Sequence, residues 1–363
     1  MISRRVRDLR GAPPSPDRIF WSGMWFRTHN NARYAELLPR LERLDAYFVT
    51  FAGARVPRGL QYRAYRGLPG TIAQRLLLPR AARRYRRGML CTEFRQIPLF
   101  PGPIVLDVDD PFFEEPELSL FRHPNVVAVV TLAEWARERY AELGVTVPIH
   151  VVPQGVSLSS LSAGDVARVR ALRRDGEIAL GYVAALLSTR DDVGMDPLYE
   201  IDHLLELWEE IRAQSPDARL WLVGEPTERA RRRLAGRDDV VLFGRVPREQ
   251  VLAHVANFDV ALYPRTKGTG IQAAKIAEYL GAGAPTVSYG YRVADIVRET
   301  GGGIVVETPR EFVDAAVRLV RDESERRRLA EAARAAGAAL DWDVLARRYE
   351  SEILDRYLTP LPA

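Results

Sequence analysis

The sequence predicts an α/β protein built from two doubly wound parallel sheets. Short apolar, β-branched runs bounded by turn residues recur along its 363 residues. Most lack a polar face, as expected of strands buried on both sides. Helical segments alternate with them, which is the pattern of parallel sheets covered by helices. The alternation pauses at the polar stretch SLSSLSAGDVARVRALRRDGE, read as a linker, and restarts near residue 178. Two Rossmann-like domains facing a central cleft are therefore expected. Their bounds are 1–164 and 165–340, with a closing helical segment over 341–363.

In the first half the strand candidates are RIFWSG, DAYFVTF, MLCTEF, PIVLDVDD, VVAVVTLA and IHVVPQG. Helices are expected near 31–44 and 134–143. In the second half come IALGYV, RLWLVGE, DVVLFGRV, DVALYP, APTVSYG and GGIVVE. Helices are expected over 198–214, 226–235, 247–256, 271–282 and 292–300. The tail from Glu323 to Leu358 reads as helix without strands.

Composition narrows the function. Hydrophobic content of 47% with 28% charged residues describes a globular chain. Cys91 is the only cysteine, which excludes an internal disulfide framework and any CxxC metal site and fits a reducing, cytoplasmic setting. The basic N-terminus MISRRVRDLRGAPPSPD has no apolar core, so no signal peptide is expected. No run is apolar enough to span a membrane. The five histidines show no metal-ligand spacing, so no metal is expected. No G-x-G-x-x-G follows a strand and GxxxxGK[ST] is absent, which argues against dinucleotide and P-loop sites. Arg75, Arg80, Arg83, Arg84, Arg86 and Arg87 form a basic cluster. They read as a solvated helix face, or as a patch that rests on anionic lipid at the inner face of the membrane or grips a phosphorylated acceptor. No nucleic-acid module accompanies them.

The two lysines carry the most information. Lys+Arg is 52, and 52 − 2 leaves 50 arginines. Both lysines, Lys267 and Lys275, lie in TKGTGIQAAKIAEYLGAG. In a chain that has replaced lysine by arginine nearly everywhere, as GC-rich bacterial coding would, a retained lysine points to a role. DVALYP ends as a strand, RTKGTG is a glycine-containing turn, and IQAAKIAEYLGAG is a helix ended by its glycines. Ligands of doubly wound sheets bind beyond the carboxyl ends of strands. Gly268 and Gly270 permit close backbone approach. The N–H groups near Thr269, Gly270 and Ile271 face outward at the positive helix end, where a diphosphate fits. Lys275 and Glu278 share one helix face. Lys275 is thus expected to grip the diphosphate, Glu278 the ribose hydroxyls, and the loop the sugar, with Lys267 as a further candidate for charge on the diphosphate.

These motifs resemble the nucleotide-sugar glycosyltransferases of the GT-B fold, the large GT4-like group of glycosyl transferases. The resemblance covers most of the chain and is strongest over 126–358. It rests on VVAVVTLAEWARERYAELGVTVPIHVVPQGVSL, then RLWLVGE, DVVLFGRVPREQVLAHVANFDVALYP and KIAEYLGAGAPTVSYG in the family's order. WDVLARRYESEILDRYL resembles the family's closing helix, which crosses back onto the N-terminal domain. The family often has two glutamates separated by seven residues in this loop and helix; here the first of those positions is Gly270.

The resemblance implies a retaining hexosyltransferase acting by front-face attack, without cofactor or metal. Its donor would be a UDP, GDP or dTDP sugar, and its acceptor a glycan, lipid-linked or small-molecule hydroxyl. It implies a diphosphate contact at Arg190, after IALGYV, with Gly181 letting the donor approach. Base contacts would come from Gly244, Arg245 and Val246, with Glu225 nearby. In PIVLDVDDP, Asp109 or Asp110 would meet the acceptor or the transferred sugar, and His123 is a weaker candidate. His29 and Asn30, in SGMWFRTHNNARY, would contribute to the acceptor loop. Two other readings use the same fold: a catalytically silent partner subunit, and a non-hydrolysing sugar-nucleotide epimerase.

Overall fold

The computed structural model describes residues 17–23, 32–49, 62–65, 70–194, 200–265 and 274–359. The chain divides into two compact units. Unit 1 is Met1–Gln154 with Trp342–Ala363, and unit 2 is Gly155–Asp341. The division at Gln154 comes before the 164/165 boundary read from the sequence. The supposed linker contains a helix of unit 2.

Unit 1 runs β1 (Ile19–Gly23), α1 (Ala32–Leu37), β2 (Leu44–Val49), β3 (Tyr62–Tyr65), α2 (Gly70–Arg84), β4 (Met89–Cys91), β5 (Ile104–Asp107), α3 (Glu117–Phe121), β6 (Val126–Thr131), α4 (Glu134–Glu142) and β7 (Ile149–Val151). Its seven strands are all parallel, in the order β3-β2-β1-β4-β5-β6-β7. Alternate residues of each strand enter opposite cores. Ile19, Trp21, Leu90, Val105 and Val130 join one core, while Phe20, Met89, Cys91, Leu106 and Val129 join the other. This period of two, with both faces covered, explains the continuously apolar strands. β3 and α3 are additions to the sequence reading.

Unit 2 runs α5 (Ala163–Arg170), β8 (Ile178–Leu187), α6 (Asp202–Gln214), β9 (Ala218–Pro226), α7 (Glu228–Leu234), β10 (Val240–Gly244), α8 (Arg248–Val255), β11 (Val260–Tyr263), α9 (Ala274–Ala282), β12 (Thr286–Tyr289), α10 (Asp295–Thr300), β13 (Gly303–Val306), α11 (Pro309–Arg321) and α12 (Glu323–Ala339). Its six strands are parallel in the order β10-β9-β8-β11-β12-β13. The order reverses between β8 and β11. In such sheets the crevice beyond the carboxyl ends at this reversal is where ligands bind.

α9 is held against its neighbours by two devices. A Cβ on Gly337 of α12 would stand 2.4 Å from the Gly281 Cα, so only glycine at that position lets the two helices approach. The Tyr279 hydroxyl accepts the Val183 N–H of β8 at 3.1 Å. The helix ends at Ala282, and Gly283 follows at φ +75°, the left-handed cap expected of the GAG sequence. Gly281 itself lies inside the helix.

The expected helical tail breaks after α12. Asp341 accepts the Leu158 N–H at 3.1 Å within unit 2. α13 (Trp342–Arg348), a π turn (Tyr349–Leu354) and α14 (Asp355–Tyr357) then belong to unit 1.

Candidate active site

Residues 266–273 fall outside the described residues, and with them Lys267, Gly268, Thr269, Gly270 and Ile271. Lys275 and Glu278 are described, on the first two turns of α9. Lys275 is half-buried. Its ammonium donates to the Tyr182 hydroxyl at 3.1 Å and stands 4.6 Å from the centre of the same ring. Tyr182 lies on β8, so this contact is made at the strand-order reversal. Glu278 is nearly buried and pairs with Arg248 of α8 at 3.3 Å. Ile276, Tyr279 and Leu280 are fully buried, the core-facing stripe of this helix.

Arg190 follows β8 and is exposed. Its guanidinium meets Glu200 at 3.2 Å and Glu206 of α6 at 3.0 Å. Hydrogen bonds to Glu206 and Glu200 raise its pKa. Glu206 also contacts His203, whose Nε2 lies 2.9 Å from the Tyr289 hydroxyl at the end of β12. These polar groups decorate the same carboxyl edge of the sheet, but sequence reading did not associate them with Arg190.

Gly181 has a different cause from the one expected. A Cβ there would stand 2.1 Å from the Phe258 ring, so the glycine makes room for a core phenylalanine rather than for a ligand. Glu225, at the end of β9, pairs with Arg231 at 3.3 Å. Gly244 ends β10 at φ +69°, which suits glycine; Arg245 after it is exposed, and Val246 packs partly on the core.

In unit 1 the Asp107-Asp109-Asp110 run separates into different environments. Asp107 is buried and bidentate to Arg33, both contacts at 3.0 Å. It also accepts from the Tyr34 hydroxyl at 3.0 Å and the Tyr349 hydroxyl at 2.8 Å. Although burial opposes the Arg33 charge, Asp107 raises its pKa above the ordinary value. Asp107 is therefore a structural centre and not a ligand of the site.

Asp110 is exposed, and Asp109 is partly covered. Burial pushes the Asp109 carboxyl up to about 6; Arg33 opposes the rise, while Asp107 and Asp110 add to it. Against its ordinary value of 3.8, this acid keeps its proton longer folded than unfolded. Its contribution to stability is full below the unfolded value and is lost as pH climbs through about 6. Asp109→Asn should remove that loss. Its stability relative to wild type should rise by roughly 1–3 kcal/mol between about pH 4 and pH 7. Urea denaturation across that range checks this, and a pH-independent difference contradicts it.

His123 sits before β6, with its ring nitrogen 3.3 Å from the Asn125 amide. That is the amino end of a strand, away from the carboxyl edge, so it leaves the candidate set. His29 and Asn30 lie outside the described residues. Of the arginine cluster, Arg75, Arg80, Arg83, Arg84 and Arg86 are exposed. Arg87 is not part of that surface: it is buried and donates to the Leu358 and Asp17 carbonyls at 2.6 and 3.2 Å. Among the described residues no His, Cys, Asp and Glu group has metal-site geometry, and no helix is long and apolar enough to cross a membrane.

Comparison with known proteins now decides the class. Residues 193–322 match the family described as Glycosyl transferases group 1. These residues lie within unit 2. Solved structures extend the match over the whole fold. HepE from Anabaena, in complex with UDP, superposes with a TM-score of 0.72 at 14% identity, covering 93% of this chain and 99% of that one. Sucrose-phosphate synthase from Thermosynechococcus elongatus gives 0.66 at 14% identity, over 93% and 98%. WaaG, a glycosyltransferase involved in lipopolysaccharide biosynthesis, gives 0.63 at 14%, over 93% and 99%. No curated protein matches significantly in sequence. The fold is GT-B, and the chain is a glycosyltransferase.

Proposed function

We propose that this glycosyltransferase moves a sugar from a nucleoside-diphosphate sugar to an acceptor hydroxyl with retention of configuration. The observation that carries the donor side is the Lys275 ammonium, held at the strand-order reversal of the sheet in the matched family domain. A diphosphate leaving group gains negative charge as the glycosidic bond breaks. A fixed ammonium stabilises that charge more than the ground state, which is how such a contact accelerates the step. In this reading Lys275 and the 267–271 loop do the work a metal would otherwise do. Glu278 takes the ribose hydroxyls, with Arg248 setting the direction of its carboxylate. Gly244, Arg245, Val246 and Glu225 would line the base. UDP is the first base to test, because HepE is described in complexes with UDP and with UDP-glucose.

Arg190 would supply a second charge only by exchanging Glu200 and Glu206 for the diphosphate. Its present pairs are exposed and weak. Arg190→Ala should therefore weaken nucleotide binding by no more than about fivefold. A loss as large as that of Lys275→Ala would make Arg190 a principal diphosphate ligand instead.

On the acceptor side, Asp109 is suited to receive or orient a hydroxyl proton near neutral pH, with Asp110 next to it in sequence. The acceptor is a glycan, glycolipid or natural-product hydroxyl. Arg75, Arg80, Arg83, Arg84 and Arg86 support peripheral contact with an anionic cytoplasmic membrane face. Release of UDP from UDP-sugars, first alone and then with candidate acceptors, tests the reading. An intact protein that binds no nucleotide would leave only the silent-partner role.

A further inference from the structure

We propose that Tyr182 is the positioning residue for Lys275, and that it is why this position kept a lysine in a chain of arginines. The proposal rests on the reading of Lys275 as the diphosphate contact. Tyr182 shares a core with Leu180 on one face of the sheet, whereas α9 packs into the core on the other face. The recorded pairing of β8 with β11 stops at Gly181↔Ala261. Immediately beyond it, Tyr182 and Lys275 meet from opposite faces. At the reversal, one cation thus rests against one aromatic residue.

Two features make the contact selective. The ammonium lies 3.1 Å from the hydroxyl and 4.6 Å from the ring centre, so it is held by a hydrogen bond and by the ring's negative face. The next residue on β8, Val183, donates its N–H to Tyr279, four positions along α9 from Lys275. Adjacent residues of one strand therefore fix the register of one helix face, and a shift of α9 would break both contacts. Tyr182 is nearly buried, which limits the ring's freedom. A compact ammonium fits above a ring at this distance. A planar guanidinium is broader and reaches further, so Arg is not an equivalent occupant.

The test is a double-mutant cycle on the full chain, read as the dissociation constant of whichever of UDP, GDP and dTDP binds wild type, with the matching nucleoside as control. Tyr182→Phe keeps the ring and loses the hydroxyl; it should weaken the diphosphate about tenfold and leave the nucleoside unchanged. In a Lys275→Ala background the same substitution should have almost no effect, an independence that a merely structural tyrosine would not show. Lys275→Arg should fail to restore wild-type binding. If Lys275→Ala weakens the nucleotide but Tyr182→Phe weakens it equally in both backgrounds, or not at all, the positioning role is wrong while the donor site stands. If Lys275→Ala binds as wild type, the donor-site reading falls and this proposal with it. Tyr182→Phe changes one buried atom, so unchanged thermal melting is expected to accompany these results.

Discussion

Lys275→Ala is expected to lower turnover by about 100- to 1,000-fold, the range for removing one preorganised charge contact to a developing anion. The fold should hardly notice. The side chain is half-buried, and its described partner is a single tyrosine. Removing a cation from an aromatic face costs about 1 kcal/mol. Turnover and folding therefore separate: activity collapses while the melting temperature moves little. Multiple-turnover assays with a UDP-sugar donor, paired with thermal melts, check both halves. Turnover within threefold of wild type would remove Lys275 from the reaction.

Asp107→Ala should do the reverse. It is expected to destabilise unit 1 by about 3–5 kcal/mol, because it strands a buried guanidinium without its counter-charge. Arg33 also donates to the Val152 and Pro153 carbonyls, both at 3.1 Å, and lies 5.8 Å from the centre of the Trp342 ring. Tyr34 and Tyr349 would lose their acceptor in the same step. One carboxylate thus ties α1, the end of β5, the exit of β7 and the returning C-terminal segment. Urea denaturation measures the loss. A change below about 1 kcal/mol would show that the carboxylate is dispensable to the fold.

The contrast between these two variants marks what the sequence could reveal. Lys275 and Glu278 were legible because helical spacing places them on one face whatever the fold. The separate environments of Asp107, the last residue of β5, and Asp109, two residues on, do not follow from alternation, which treats the two alike. What separates them is Arg33, 74 positions away in the chain. Tyr182 left no signal for a similar reason. Its strand is buried on both faces, so periodicity cannot say where a ring points, and its partnership depends on the β8–β11 neighbourhood. Gly181 was read as space for a ligand because a glycine shows only that space is needed, not that Phe258 fills it.

Among the elements, the long apolar strands were plain. β3, the edge strand YRAY, carries too few apolar residues to stand out. α5 hides in a polar stretch, although Ser162 caps it by accepting the Asp165 N–H. α11 is not among the helices read from the sequence, although it was legible. Thr308 and Glu311 form a capping box and Pro309 occupies its first turn, which are helix-start signals independent of tertiary context.

The most direct test of the central claim is calorimetric titration of the full chain and of Lys275→Ala with UDP, GDP and dTDP. One nucleotide should bind wild type with a dissociation constant on the order of micromolar, and the variant should lose about 2 kcal/mol or more of that affinity, as expected for a charged hydrogen bond. Equal affinity in both proteins, or no binding to a folded wild type, would contradict it.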